Sequence, residues 1–554
     1  MKKLLSLLLA FSILAPNTAF ASGESIMDSN QPGKGYFGID SNPTFFNKFT
    51  FSSLSGRLVD SNRVIQDVKN CKSLEDPACS TLNFFKADTL FPLCESAAEL
   101  NCIDSLRAFD AEGKELQVTT GEKFPAVRSK DFKGDISANL PPGSQAPLVE
   151  IPGASHAGGA KYVIIVNPAG EIDKRASGSG KFDGTMQGGI FAVKTINGNF
   201  NDGGMSERLS DYQEWGAGHE TVGIGGGGDS RFGCIINDLT SCAVPQAMPL
   251  GMTFSLKIRY NFKVVNWFSG RLISPDVEIQ PIATGGNLLT ITAKPAEVPF
   301  ISRWVKKTDL PENILNYYKS LPQPLGGSGD WPASVQSGDP STWSLMRNIS
   351  PDQLSMDEFL LWLPVISDKS DYQPTLWTFR TMRSGQQYES CLQSEKDVIG
   401  IVSTNATAYI DGPPVFNRES MSIEYKVAAP HYTPTGEIFK GSYDLQVQSS
   451  SARCLYGFSN APISATIEIV SESGEKQIAV TTVTERNGWL YLSAKGFTFS
   501  NPVVKVKLSQ EKASAPGVVV KKLAKEVTIT CAKGKKVQRI YGVKPKCPTG
   551  YKKR

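Results

Sequence analysis

Thr253-Phe-Ser-Leu-Lys-Ile-Arg-Tyr-Asn-Phe262 decides the fold class. Phe254, Leu256, Ile258, Tyr260 and Phe262 fall on every second position, with mostly polar residues between them. Successive strand side chains point to opposite faces, so this pattern predicts a strand with one buried sheet face. The same period recurs at Tyr443, Leu445 and Val447, and again at Ile463, Ala465, Ile467 and Ile469. Ser473-Gly474 and Asn487-Gly488 supply hairpin turns because these residue pairs tolerate the positive φ that two-residue loops need. The run Tyr162 to Val166 reads as a further strand, closed by Asn167-Pro168. Short strands with turns at regular spacing predict a mainly β protein built of several antiparallel β-sandwich-like domains.

Working outward, the pattern changes between 306 and 370. Asp309-Leu310-Pro311 leads into a helix from Glu312 to Lys319 that stops before Pro322. Ser350 reads as the N-cap of a second helix, with Pro351 at its first position and Gln353 completing an S-x-x-Q box; that helix should run to Leu363, just before Pro364. The division that follows is a leader at 1–21, a disulfide-stapled domain at 22–148 and a β domain at 149–305 carrying a glycine-rich loop from Gly198 to Gly233. A small helical insertion (306–370), a sandwich-like domain (371–508), a linker (509–517) and a basic disulfide-closed hairpin (518–554) complete it.

Lys2 and Lys3, the apolar stretch Leu4 to Leu14 and the small-residue pattern Ala19-Phe20-Ala21 have the form of a signal peptide, with Ser22 as the mature start. No later segment has the length of a membrane-spanning helix, so none is expected after cleavage. The ten cysteines are even in number and clustered: Cys71, Cys79, Cys94 and Cys102; Cys234 and Cys242; Cys391 and Cys454; Cys531 and Cys547. In an exported chain this predicts up to five disulfides. The symmetric spacing C-x7-C-x14-C-x7-C of the first four allows local or nested pairing. Zinc would need closer pairs, typically C-x(2-4)-C, and the chain has only three histidines; no metal and no cofactor are expected. Charge is split. Between Lys521 and Arg554 twelve Lys or Arg stand against Glu526, a charge of +11; with +2 in the leader and +4 overall, the body from 22 to 520 carries −9.

Three strings carry a resemblance: Arg453-Cys-Leu-Tyr-Gly-Phe-Ser-Asn-Ala-Pro-Ile-Ser-Ala-Thr, Gly488-Trp-Leu-Tyr-Leu-Ser-Ala-Lys-Gly-Phe-Thr-Phe-Ser and Trp267-Phe-Ser-Gly-Arg-Leu. They look like uncharacterised secreted proteins of high-GC Gram-positive, actinobacterial-type bacteria. The tail, Ile529-Thr-Cys-Ala-Lys-Gly-Lys-Lys through Lys544-Pro-Lys-Cys-Pro-Thr-Gly-Tyr-Lys-Lys, is similar to a short module closing many of their exported proteins. The resemblance spans about 230–300 and 390–554. It implies a secreted or cell-surface location and lends no catalytic residue.

No constellation specifies a reaction. Gly223-Ile-Gly-Gly-Gly-Gly228 fits G-x-G-x-x-G, but Asp229-Ser-Arg-Phe-Gly233 opens no helix for a pyrophosphate to meet. Gly153-Ala-Ser-His-Ala157 approaches a nucleophile elbow, yet its strand comes after it. Asn197 to Asp202 alternates oxygen ligands as a calcium loop would, without glycine at the sixth position or glutamate at the twelfth; an Asn-Gly turn is favoured. Asp211, Glu214, Trp215, His219, Glu220 and Asp229 form the richest polar cluster. Asp211, Glu214, His219, Glu220 and Asp229 are the catalytic candidates for a polysaccharide hydrolase, which needs two facing carboxyls, with Trp215 to stack on the sugar; a solvated loop with one buried tryptophan is the favoured reading. Trp331 and Trp343, flanked by Gly, Asp, Pro and Ser, are candidate glycan- or protein-binding aromatics, whereas Trp362 reads as core. Lys535, Lys536 and Arg539 are candidate contacts to an anionic cell-envelope polymer. With only Tyr541 and Tyr551 interleaved, base stacking is not favoured and nucleic acid is not expected. The expectation is a secreted or surface-associated, non-enzymatic protein with a binding or envelope-structural role. A secreted hydrolase and a self-assembling coat component are the alternatives.

Overall fold

The computed structural model describes residues 36–41, 52–124, 131–175, 178–197, 235–237, 241–264, 267–283, 285–320, 345–349, 352–382, 390–392, 398–410, 412–470, 476–478, 480–499, 503–510, 527–534, 536–542 and 544–554. The protein is mainly β, with mostly antiparallel sheets and few short helices. By its internal contacts it divides into two units, one up to Ser509 and one from Gln510 to Arg554.

The strand Thr253–Tyr260 behaves as its alternation demands. It lies between Cys102–Phe109 and Asn287–Glu297, antiparallel to both, and buries Phe254, Leu256 and Ile258 at 0% exposure. Each such side chain contributes roughly 1.5–3 kcal/mol. Together with the second half of Trp267–Pro281, these strands form a small sheet. Its apolar face packs on a much longer sheet that runs, in order, Ile65–Asn70, Ser53–Val59, Phe84–Asp88, Lys161–Asp173, Phe182–Asn197, Thr375–Thr381, the first half of Trp267–Pro281, Gly400–Thr404, Gly441–Gln448, Trp489–Phe497 and Val480–Arg486. Only Trp267–Gly270 with Gly400–Ser403 pairs in parallel within it.

The long sheet is shared by two cores on opposite faces. Ile164, Val166, Phe182, Met186, Phe268, Trp377 and Phe379 face the small sheet. Further along, Trp267, Val402, Tyr443, Leu445, Val447, Leu490 and Leu492 face the other way, against Ser422–Ala428, Val503–Gln510 and Ile463–Val470. Trp267 and Phe268 are adjacent residues, and the pleat sends one to each core. The stretches 22–148, 149–305 and 371–508 therefore contribute strands to one common sheet.

Asn167-Pro168 does not end its strand, which continues to Asp173 in the interior of the sheet. Proline cannot donate to a ladder, and here the neighbouring side chain donates instead. Thr89 N–H bonds the Pro168 carbonyl at 2.9 Å, and the Asn167 side-chain amide donates to the Thr89 carbonyl at 2.6 Å. Asn167 is 1% exposed, so this bond is made out of water.

The Asn487-Gly488 hairpin is present, with φ of 50° and 77° joining Arg486 to Trp489. Ser473-Gly474 lies outside the described residues, between the paired strands Ile463–Val470 and Lys476–Ile478. Glu312–Ser320 is a helix. The second helix spans Gln353–Trp362, and its N-cap is Asp352, not Ser350: the Asp352 carboxylate accepts from Ser355 N–H at 2.8 Å. A carboxylate two residues nearer the first turn reaches the orphan amides that the sequence reading gave to the serine. Trp362 is fully buried among Ile39, Ile301, Ile314 and Phe359, beneath a sheet of Ser302–Lys306, Tyr36–Asp40 and Leu345–Asn348. No helix among the described residues is long and apolar enough to cross a membrane.

Four disulfides are described: Cys71–Cys79, Cys94–Cys102, Cys391–Cys454 and Cys531–Cys547. The first two choose the local over the nested pairing. Each closes a short turn beside a strand end, as where Cys94 N–H bonds the carbonyl of Ile103. Such a set fits an oxidising environment. The remaining pair, Cys234 and Cys242, is not described at its side chains. In the C-terminal unit, Val527–Lys533 and Lys536–Gly542 form the expected hairpin, and Lys552–Lys553 adds a third strand beside Cys531 and Ala532.

Candidate functional site

The residues singled out for catalysis, Asp211, Glu214, His219, Glu220 and Asp229, lie outside the described residues, as do Trp331, Trp343 and Lys535. The glycine-rich loop and most of the candidate calcium loop lie there too. Ser155 and His156 are described, and they are not paired. Ser155 Oγ donates to the Pro152 carbonyl at 2.8 Å, while the two ring nitrogens of His156 lie 3.0 Å from the Lys161 carbonyl and 3.2 Å from Gly158 N–H. Burial holds the His156 pKa below its usual value, against the contact with the Lys161 carbonyl. Both side chains are turn staples. Among the described residues no three His, Cys, Asp or Glu side chains gather as metal ligands would.

Lys536 and Arg539 sit on one strand of the C-terminal sheet, three residues apart, and so on opposite faces. Arg539 shares its face with Tyr541 and Val537; the other face carries Ile529, buried at 8% exposure, and the Cys531–Cys547 bridge. Val537 and Tyr541 are 53% and 58% exposed. Lys533, Lys536, Arg539, Lys544, Lys546, Lys552, Lys553 and Arg554 are all exposed, and the sequence from Val527 to the end holds no Asp or Glu. A single disulfide thus bridges a sheet whose described charged side chains are all cationic.

A second site emerges that the sequence reading missed. Strands place Arg57, Phe84 and Asp173 in one cross-strand row, and Lys86, Glu171 and Asp183 in the next, on the face of the long sheet opposite Phe85, Ile172 and Phe182. Arg63, Arg175 and Lys181 join from the adjoining turns, and the result is a cleft of about 470 Å³, within the roughly 300–1,000 Å³ range of ligand sites. Gly56, beneath it, has no room for a side chain: a Cβ would stand 2.6 Å from Leu82 Cδ1 and 2.8 Å from Cys71 Sγ. Arg175 donates Nε to Asp173 Oδ1 at 2.9 Å and Nη2 to Oδ2 at 2.7 Å, and its guanidinium lies 5.5 Å from the Phe84 ring centroid. That bidentate bond holds the Asp173 carboxyl below its usual range. The bond favours the ionised form of Asp173. The cleft offers guanidinium donors, carboxylate acceptors and one aromatic ring, a set suited to holding a polar ligand.

The cleft was hidden because Arg57, Phe84 and Asp173 become neighbours only through strand register. No protein-family model matches the chain, and no curated protein matches it.

Proposed function

We propose that this protein works outside the cytoplasm as a non-enzymatic binding or envelope-structural protein, held to anionic envelope material by its C-terminal unit. The observation that carries this reading is the C-terminal sheet, with its cations exposed, no carboxylate in its sequence and its own disulfide. Cations exposed in this way offer their charge to a polyanionic partner. The four disulfides agree with an extracellular location. The cleft at Arg57, Phe84 and Asp173 supplies a place for a glycan unit.

The test is a binding screen of the full chain and of a form lacking 518–554 against a polyphosphodiester, a polyuronate and a neutral glycan. The full chain should bind the two polyanions and release them in 1 M salt, where screening acts over about 3 Å; the shortened form should not bind them. Equal binding by both forms, or retention in 1 M salt, would reject the reading, and appearance of new reducing ends would favour the hydrolase.

A further inference from the structure

Where the long sheet passes from one core to the other, it holds two arginines side by side. Strand Trp267–Pro281 carries Ser269 and Arg271 on one face, and Thr375–Thr381 sets Arg380 opposite Ser269 and Thr378 opposite Arg271. Gln187 stands opposite Arg380 on its other side. Both guanidiniums approach the Tyr409 ring, with Cζ of Arg271 4.6 Å and Cζ of Arg380 5.7 Å from its centroid. These side chains line a cavity of about 10 Å³, space for one water-sized particle.

Arg271 is 3% exposed. Its Nη1 and Nη2 donate to the carbonyls of Thr404 and Thr407 at 3.0 and 3.1 Å, and its Nε, also buried, has no hydrogen-bond partner. Carbonyls and an aromatic face carry no net charge. Among the described residues no carboxylate pairs with Arg271, and burial together with the like charge of Arg380 disfavours its cationic form. Arginine does not escape such a site by losing its proton, and an uncompensated buried charge is strongly unfavourable. What Arg271 lacks among the described residues is a negative charge. The cavity is too small for a phosphate or a carboxylate and has room for a monatomic ion. Ser269 Oγ accepts from Arg380 Nε at 3.3 Å, which leaves its O–H to donate into the same space.

We propose that Arg271 and Arg380, with the Ser269 hydroxyl, hold a single halide-sized anion, chloride under ordinary conditions, as a structural counter-ion at the junction of the two cores. This site is independent of the polyanion reading of the C-terminal unit. The test is thermal unfolding of the full chain in chloride titrated against gluconate at constant ionic strength. Once chloride exceeds its dissociation constant, each tenfold rise should lower the unfolding constant tenfold, and Arg380→Gln should flatten that dependence. Coincident curves in chloride and gluconate would overturn the proposal, as would an unchanged chloride dependence in the variant. Because the variant can fail to fold, crystals of the unaltered chain grown in bromide give a second reading. An anomalous peak between Arg271 and Arg380 supports the site; its absence there refutes it.

Discussion

Asp88→Asn should stabilise this protein at neutral pH and have little effect in acid. Asp88 ends the strand Phe84–Asp88, is 8% exposed, and its Oδ1 has no hydrogen-bond partner. Burial pushes its carboxyl from 3.8 up to about 6, against the opposing pull of Lys86. A rise of about 2 units corresponds to about 3 kcal/mol between the charged and neutral forms. The folded-state pKa is raised, so the contribution to stability is fully present below the unfolded value near 3.9 and is lost as pH climbs through about 6. Above that, the ionised carboxylate burdens the fold, whereas asparagine is neutral at every pH. Urea unfolding of the full chain and of the variant at pH 4, 5, 6 and 7, followed by the fluorescence of buried Trp267 and Trp377, isolates this effect. Any penalty from the new amide is the same at each pH and cancels. The gap in stability between variant and parent should move in the variant's favour by about 2 kcal/mol between pH 4 and pH 7. A gap that does not change with pH would refute the argument, whatever its sign.

Asn167→Ala removes the amide that stands in for the absent N–H of Pro168 and leaves the Thr89 carbonyl without that donor inside the sheet, a loss of about 1–3 kcal/mol; urea unfolding at pH 7 measures it, and a change under about 0.5 kcal/mol would contradict the compensation. The Cys391–Cys454 bridge spans 63 residues and Cys71–Cys79 spans 8. In the loop-entropy account these constrain the unfolded chain by about 4 and about 2.5 kcal/mol. Replacing both cysteines of the longer bridge with serine should therefore lower stability more than doing so for the shorter, and the reverse order in urea midpoints would reject that account.

What the sequence disclosed depended on how locally each feature is determined. The alternation around Leu256 and Ile258 was legible because burial on one face writes itself into a two-residue period. The helix at Glu312 was legible for a similar reason, being set by residues a few positions apart. Asn167-Pro168 misled because a side-chain amide can stand in for a backbone one, which periodicity does not register. Ser350 misled because two capping residues lay within reach of the same helix. The pairing of Cys71 with Cys79 awaited the turn between them. The charged cleft and the Arg271–Arg380 pair were illegible for a deeper reason: register between distant strands creates them, and a single sequence shows which residues alternate without showing which strands meet. Of the predicted catalytic and binding residues, Lys536 and Arg539 are described, and they turn out to face apart.

The parallel pairing of Trp267–Gly270 with Gly400–Ser403 has a kinetic consequence. Synthesis proceeds from the amino end, yet the edge of Phe182–Asn197 away from Lys161–Asp173 is paired by Thr375–Thr381 only when that strand has been made, and the first half of Trp267–Pro281 waits for Gly400–Thr404 on its other side. Until then the growing sheet carries open edges, which are templates for pairing with other chains. Long-range closure of this kind is slow, and partly built sheets aggregate. A nascent fragment ending before residue 400 has every strand of the small sheet and still cannot finish the large one. The core around Tyr443 and Leu445, built from Trp267 and residues from Met382 onward, can close only once the carboxyl-terminal third has arrived.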